Sequence, residues 1–136
     1  MTPVFKAIYN KFYADPAHGA YTNVAGRFYH NAAPQEPTFP YIVYFAVDDM
    51  AEIDFTDERE DFLLQFNIFS ENNSATEAGT ILTNLKSLFD NCSLTVTNWN
   101  HLKCSRVRTI PNNDFSQVTP VHGYSVDYEV VVEKAK

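Results

Sequence analysis

Cysteine is scarce in this 136-residue chain, which holds only Cys92 and Cys104. A disulfide-stapled secreted scaffold would carry more. No CxxC occurs, so two reduced thiols are expected, one near a helix end and one in a strand. Glycine is also scarce, with four residues and no cluster. That excludes a Gly-rich phosphate loop, whose backbone must approach its ligand closely. Net positive charge is missing: the formal charge is −7 and the pI about 4.9. Broad binding to nucleic acid or anionic membranes needs a basic surface, so neither is expected. Long apolar runs are missing too. Nothing reaches membrane-spanning length, and "MTPVFKAIYNKF" lacks the apolar stretch of a signal peptide. Residence in a cytosol, or assembly from one, is the expectation.

What the chain does have is apolar and aromatic mass. Hydrophobic residues make up 45%, with 11 Phe and 8 Tyr, which rules out a disordered tail. The length suits one domain, 1–136, and a domain of this size buries roughly two-thirds of its unfolded surface.

Periodicity supplies the elements. Thr2-Pro3 starts a helix with a capping hydroxyl and a proline at the first helical position. Val4, Ile8 and Phe12 form one stripe, and Phe5, Tyr9 and Tyr13 a second beside it. Asp15-Pro16 ends it, and "ADPAHGAYTN" reads as a loop. "VAGRFYHNAAP", Val24 to Pro34, reads as a short strand broken at Gly26. "PTFPYIVYFAV" follows, a strand started by Pro40 and apolar on both faces. One face is expected under helices. The other needs a second sheet layer or a neighbouring subunit. "FLLQFNIFS" alternates, with Phe62, Leu64, Phe66 and Ile68 on one face and Gln65 and Asn67 on the other.

A second helix begins near Ser74, which with Glu77 makes a capping box. Ala78, Ile81, Leu82, Leu85, Leu88 and Phe89 are its buried stripe, and Gly79 reads as a mark of close packing. Around Trp99 the alternation is imperfect, which predicts a bulge. "VHGYSVDYEVVVEK" is the cleanest strand, with Tyr124, Val126, Tyr128, Val130 and Val132 on one side. The sum is an α+β fold: helix, three strands, helix, then two or three strands. The sheet is mostly antiparallel, with both helices on one face.

The search for chemistry finds little. His18, His30, His101 and His122 are scattered, and His101 with Cys104 and Cys92 lacks the ligand spacing of a zinc site. There is no GxSxG. No catalytic, cofactor-binding or metal-binding residue is assigned. The one charge signature is "DDMAEIDFTDERED", Asp48 to Asp61, in which eight of fourteen residues are acidic. It lacks the EF-hand spacing. It reads as the solvated tip joining two strands, or as an arm for a basic partner. The candidate contact residues are Asp48, Asp49, Glu52, Asp54, Asp57, Glu58, Arg59 and Glu60, with Tyr41, Val43 and Tyr44 on the adjoining strand.

The phrase "GR-Y-x-x-x-AP…-P-Y-x-V" is carried by Gly26, Arg27, Tyr29, Ala33, Pro34, Pro40, Tyr41 and Val43. With "FNIFS", whose aromatic–Ser pair is Phe69-Ser70, and the closing "GYSVDYEVVV", it resembles the tail-completion family of long-tailed phages and prophages. The resemblance spans nearly the whole chain. It implies a tail terminator: a structural, non-enzymatic virion protein without cofactors. The resemblance implies a homo-oligomeric ring, a hexamer, at the head-proximal end of the tail. Such a ring would contact the tail tube protein and the head connector, and would assemble in the host cytoplasm. Two alternatives stand beside it. One is a small-ligand-binding or enzymatic α+β domain with an aromatic pocket. The nuclear-transport-factor-2-like fold is such a domain, but a helix between two groups of strands does not suit it. The other is a head–tail connector or minor tail component.

Overall fold

Alternation sets the centre of the molecule. The structure is a computed structural model that describes residues 2–53, 58–72, 74–116 and 118–135. In chain order these form α1 (Thr2–Tyr13), α2 (Gly19–Thr22), β1 (Phe28–His30) and β2 (Tyr41–Ile53). β3 (Glu58–Glu71), α3 (Thr76–Phe89), β4 (Trp99–Pro111) and β5 (Val121–Lys134) follow. The strands make a five-stranded sheet in the order β1-β2-β3-β5-β4. β3 lies at its centre because both of its edges are paired, to β2 and to β5, each antiparallel. β4 pairs antiparallel with β5. The exception is β1, which runs parallel to β2 with Phe28 beside Ile42. This is the expected α+β arrangement.

Both expected helices pack on one face of the sheet. Phe62, Leu64, Phe66 and Ile68 of β3 are buried there with Val126, Tyr128, Val130 and Val132 of β5. Val4, Ile8 and Phe12 of α1 meet them, as do Ile81, Leu85 and Phe89 of α3. A column of rings joins the layers. Phe12 stacks on Phe28 at 4.0 Å, Phe28 on Tyr44 at 4.5 Å, and Phe66 on Phe89 at 4.8 Å. Such pairs add about 0.5–1.5 kcal/mol each beyond area burial.

Several local expectations change. The segment 14–23 contains the short helix α2, capped by His18, whose Nδ1 accepts the Ala20 N–H at 3.0 Å. Four residues carry no periodicity to detect. β1 is shorter than Val24 to Pro34, because Ala25 and Gly26 take positive φ, 50° and 74°, and turn the chain before Phe28. Tyr41 begins β2, after a cis Phe39–Pro40 bond. Glu77 does not close a capping box: it accepts a 2.6 Å hydrogen bond from the buried Ser70. Ser74 Oγ instead accepts the Thr76 N–H at 3.2 Å. Gly79 marks no close packing, since a Cβ there would meet nothing within 4 Å. The irregularity near Trp99 is real: β4 shifts register between His101 and Lys103 and again between Arg106 and Arg108.

The largest correction concerns the acidic stretch. It is not a loop from Asp48 to Asp61. β2 continues to Ile53 and β3 starts at Glu58, with Asp49 opposite Phe62 and Glu52 opposite Arg59. The charges ride on the two arms of a long hairpin.

Candidate partner-binding surface

The apolar strand of β2 divides cleanly. Ile42 and Tyr44 point into the core beneath the helices. Tyr44 is 1% exposed, and burial, with Tyr13 and Tyr9 nearby, pushes its phenol up to about 12. Tyr41, Val43 and Phe45 alternate to the opposite face. No second sheet covers that face among the described residues.

The open face has two unlike halves. Over β1 and β2 it is aromatic. Tyr41 stacks on Phe69 of β3 at 4.9 Å, with Phe39 at 5.2 Å and Tyr29 at 6.1 Å. These neighbours bury Tyr41 and Val43 almost fully, although no layer lies above them. Arg27 fixes this corner. Its Nε donates to the Pro40 carbonyl at 2.8 Å and its Nη2 to the Phe39 carbonyl at 3.2 Å. Tyr13 Oη donates to the Gly26 carbonyl at 2.6 Å, which ties the turn to α1.

Over β5 and β4 the face is polar. Asp127 is 1% exposed and accepts from Gln65 Nε2 at 2.9 Å and Arg108 Nε at 2.5 Å. Asn67 donates to Gln65 and accepts from Ser125 Oγ, which extends the chain of bonds across three strands. Lys103 and Glu129 pair beside it at 2.6 Å. The sequence offered only the alternation of Gln65 and Asn67 as a sign of this network. Its other members lie far along the chain, and only the β3–β5 register brings Gln65 to Asp127.

The candidate contact residues are therefore separated. Tyr41 and Val43 lie on the open face, whereas Tyr44 is in the core and offers no surface. Asp48, Asp49 and Glu52 lie on β2 beyond the reach of β1, whose pairing covers Ile42 to Tyr44. Arg59 and Glu60 lie on β3, where Arg59 sits 3.8 Å from Glu133. Asp54 and Asp57 lie outside the described residues. Sequence reasoning did not pick out the exposed apolar side chains of the far edge. Leu102, Val107 and Ile110 project from β4, and Phe115 and Val118 from the turn before β5.

Two surface hollows bear on the ligand-binding alternative. One, of about 320 Å³, is lined by Cys92, His101, Lys103 and neighbours; the other, of about 380 Å³, lies between α1 and residues 93–97. Neither is lined by Phe, Tyr or Trp, or by an Asp–His pair. Among the described residues, no helix is long and apolar enough to cross a membrane.

The family model for the tail completion protein gp17 matches residues 6–133. The chain belongs to the tail completion protein gp17 family. Membership makes it a structural tail protein and implies a non-enzymatic role. The fold agrees with a chain from the virion of a native gene transfer agent particle. That match has a TM-score of 0.78 at 14% identity and covers 94% of this chain and 92% of that one. A second solved chain matches at a TM-score of 0.54 and 17% identity, over 95% of this chain and 94% of that chain. No match was found among curated proteins. In this tail completion protein the phrase that suggested the family is a local structure. Gly26 makes the turn, Arg27 holds the Phe39–Pro40 corner, and Tyr29, Tyr41 and Val43 floor the open face.

Proposed function

We propose that this protein is a tail terminator, which closes the phage tail tube as a ring and joins it to the head connector. Family membership carries the reading. The asymmetry of the open face supports it. A ring is built from heterologous contacts, in which two unlike patches of one subunit meet on neighbouring copies. The aromatic half around Tyr41 and Phe69 and the charged half around Asp127 and Arg108 are two such unlike patches. The hairpin arm with Asp48, Asp49, Glu52, Glu58, Arg59 and Glu60 is the proposed contact with the tube or the connector, because it concentrates the acidic charge. Asp54 and Asp57 extend the same acidic run in sequence. Six copies close the proposed ring at the head-proximal end, after assembly in the host cytoplasm.

Adding the purified protein to headless tail tubes tests this. Electron microscopy should show extra ring-shaped density at one end of each tube. Tubes with bare ends, or with protein bound along their sides, would count against it.

A further inference from the structure

Cys92 lies in the turn after α3 and Cys104 in the edge strand β4, and both are free thiols. They converge on one atom. The Cys92 N–H donates to the Phe89 carbonyl at 3.3 Å, and Cys104 Sγ reaches the same oxygen at 3.4 Å. The last carbonyl of α3 thus holds the turn and the edge strand side by side.

Access to them is unequal. Cys104 is buried, while Cys92 is half-buried, and both line the hollow that also receives His101 and Lys103. Of the two, Cys92 is the more accessible to a reagent in that hollow. The electrostatics run the same way. The hydrogen bond with Cys104 holds the Cys92 thiol below its ordinary range despite its burial, and Lys11 adds to this. The bond with Cys92 and burial push the Cys104 thiol up. Attack by the more acidic thiol followed by resolution by the second is the usual course of thiol–disulfide exchange. Among the described residues, no group of three His, Cys, Asp or Glu side chains is placed to hold a metal ion.

We propose that Cys92 and Cys104 are a latent disulfide site, oxidised by a low-molecular-weight disulfide to an intramolecular bond that fastens the α3–β4 turn to the edge strand. The Cys92 thiolate attacks one sulfur of the reagent. Its S–S bond breaks, and one half leaves as a thiol, carrying the proton lost by Cys92. Cys104 then attacks Cys92 Sγ in the mixed disulfide, and the second half leaves with the proton of Cys104. Two protein thiols are oxidised and one disulfide is reduced to two thiols.

The test uses the intact folded protein and oxidised glutathione. Thiol titration and non-reducing peptide mapping should show both thiols lost, a Cys92–Cys104 cross-link, no retained glutathione and no dimer. The melting temperature should rise by about 5–10 °C, as expected for closing a short loop in a domain of this size. Cys104→Ser should instead hold glutathione stably on Cys92. Cys92→Ser should leave Cys104 unmodified until urea is added. Glutathione retained on the unsubstituted protein, cross-linked dimers, or two thiols unreactive without urea would overturn the proposal.

Discussion

Arg108 Nε lies 2.5 Å from Asp127 Oδ2 across β4 and β5, with the carboxylate buried and the guanidinium side chain 60% exposed. Gln65 completes the group from the other side. Removing Arg108 takes a charged partner from a buried carboxylate, which costs about 1–3 kcal/mol, whereas removing Asp127 leaves an exposed guanidinium that water can solvate. Arg108→Ala should lower stability by that amount in urea unfolding, and Asp127→Ala by less. The double variant should cost less than the sum, because both remove one interaction. Lys103→Ala, at the exposed pair with Glu129, should change little.

Two glycines should respond oppositely to alanine. A Cβ at Gly123 would meet the Ile68 carbonyl, and would lie 2.8 Å from the Asn112 carbonyl oxygen. Both obstacles are backbone. Gly123→Ala should destabilise by about 1–3 kcal/mol or more. Gly79 lies in α3 with open space around it, so Gly79→Ala should stabilise by up to about 1 kcal/mol. Thermal melts of the two variants check both signs.

Alkaline pH should unfold the protein through its buried phenols. Tyr44 is raised to about 12, mainly by burial. Tyr128 is also raised, by burial and then by its hydrogen bond to Asp90. A group whose folded pKa exceeds its unfolded value of about 10 stabilises fully below pH 10. That contribution is lost as pH climbs from about 10 through about 12. Urea midpoints measured across that window should fall, and Tyr44→Phe should flatten the decline.

The acidic hairpin arm should matter for assembly and not for folding. Asp49→Asn, Asp54→Asn, Asp57→Asn and Glu58→Gln together should leave the circular dichroism spectrum unchanged and reduce capture by tail tubes at low salt. Screening shortens the reach of exposed charges to about 10 Å at 0.1 M salt, so the difference should shrink as salt rises. Equal capture at every salt concentration would return these charges to plain solvation.

The sequence made the strands legible where alternation was strong. β3 and β5 each bury one set of alternate residues, and α3 buries its predicted stripe, with Leu88 partly covered. It misled where short polar groups had competing partners. Ser74 and Glu77 have capping-box spacing, yet Ser70, seven residues before Glu77, claims its carboxylate through the fold. It misled again where charge was equated with a loop. Asp48 to Ile53 stay extended because β3 supplies their ladder partners. The candidate surface was half legible. The doubled apolar faces of β2 announced a second apolar face over Tyr41 and Val43, but the second sheet layer offered as one cover for it is not found among the described residues. Tyr44 was placed with them although its parity put it in the core. The Gln65–Asp127–Arg108 group depends on long-range register, which no local pattern encodes.

The central claim is that this protein ends tube growth. The most direct measurement is the length distribution of tail tubes assembled with and without it, from otherwise identical components. With the protein present, lengths should collapse to one narrow value. Without it, tubes should extend to variable lengths. Identical, uniform lengths in both reactions would contradict the account.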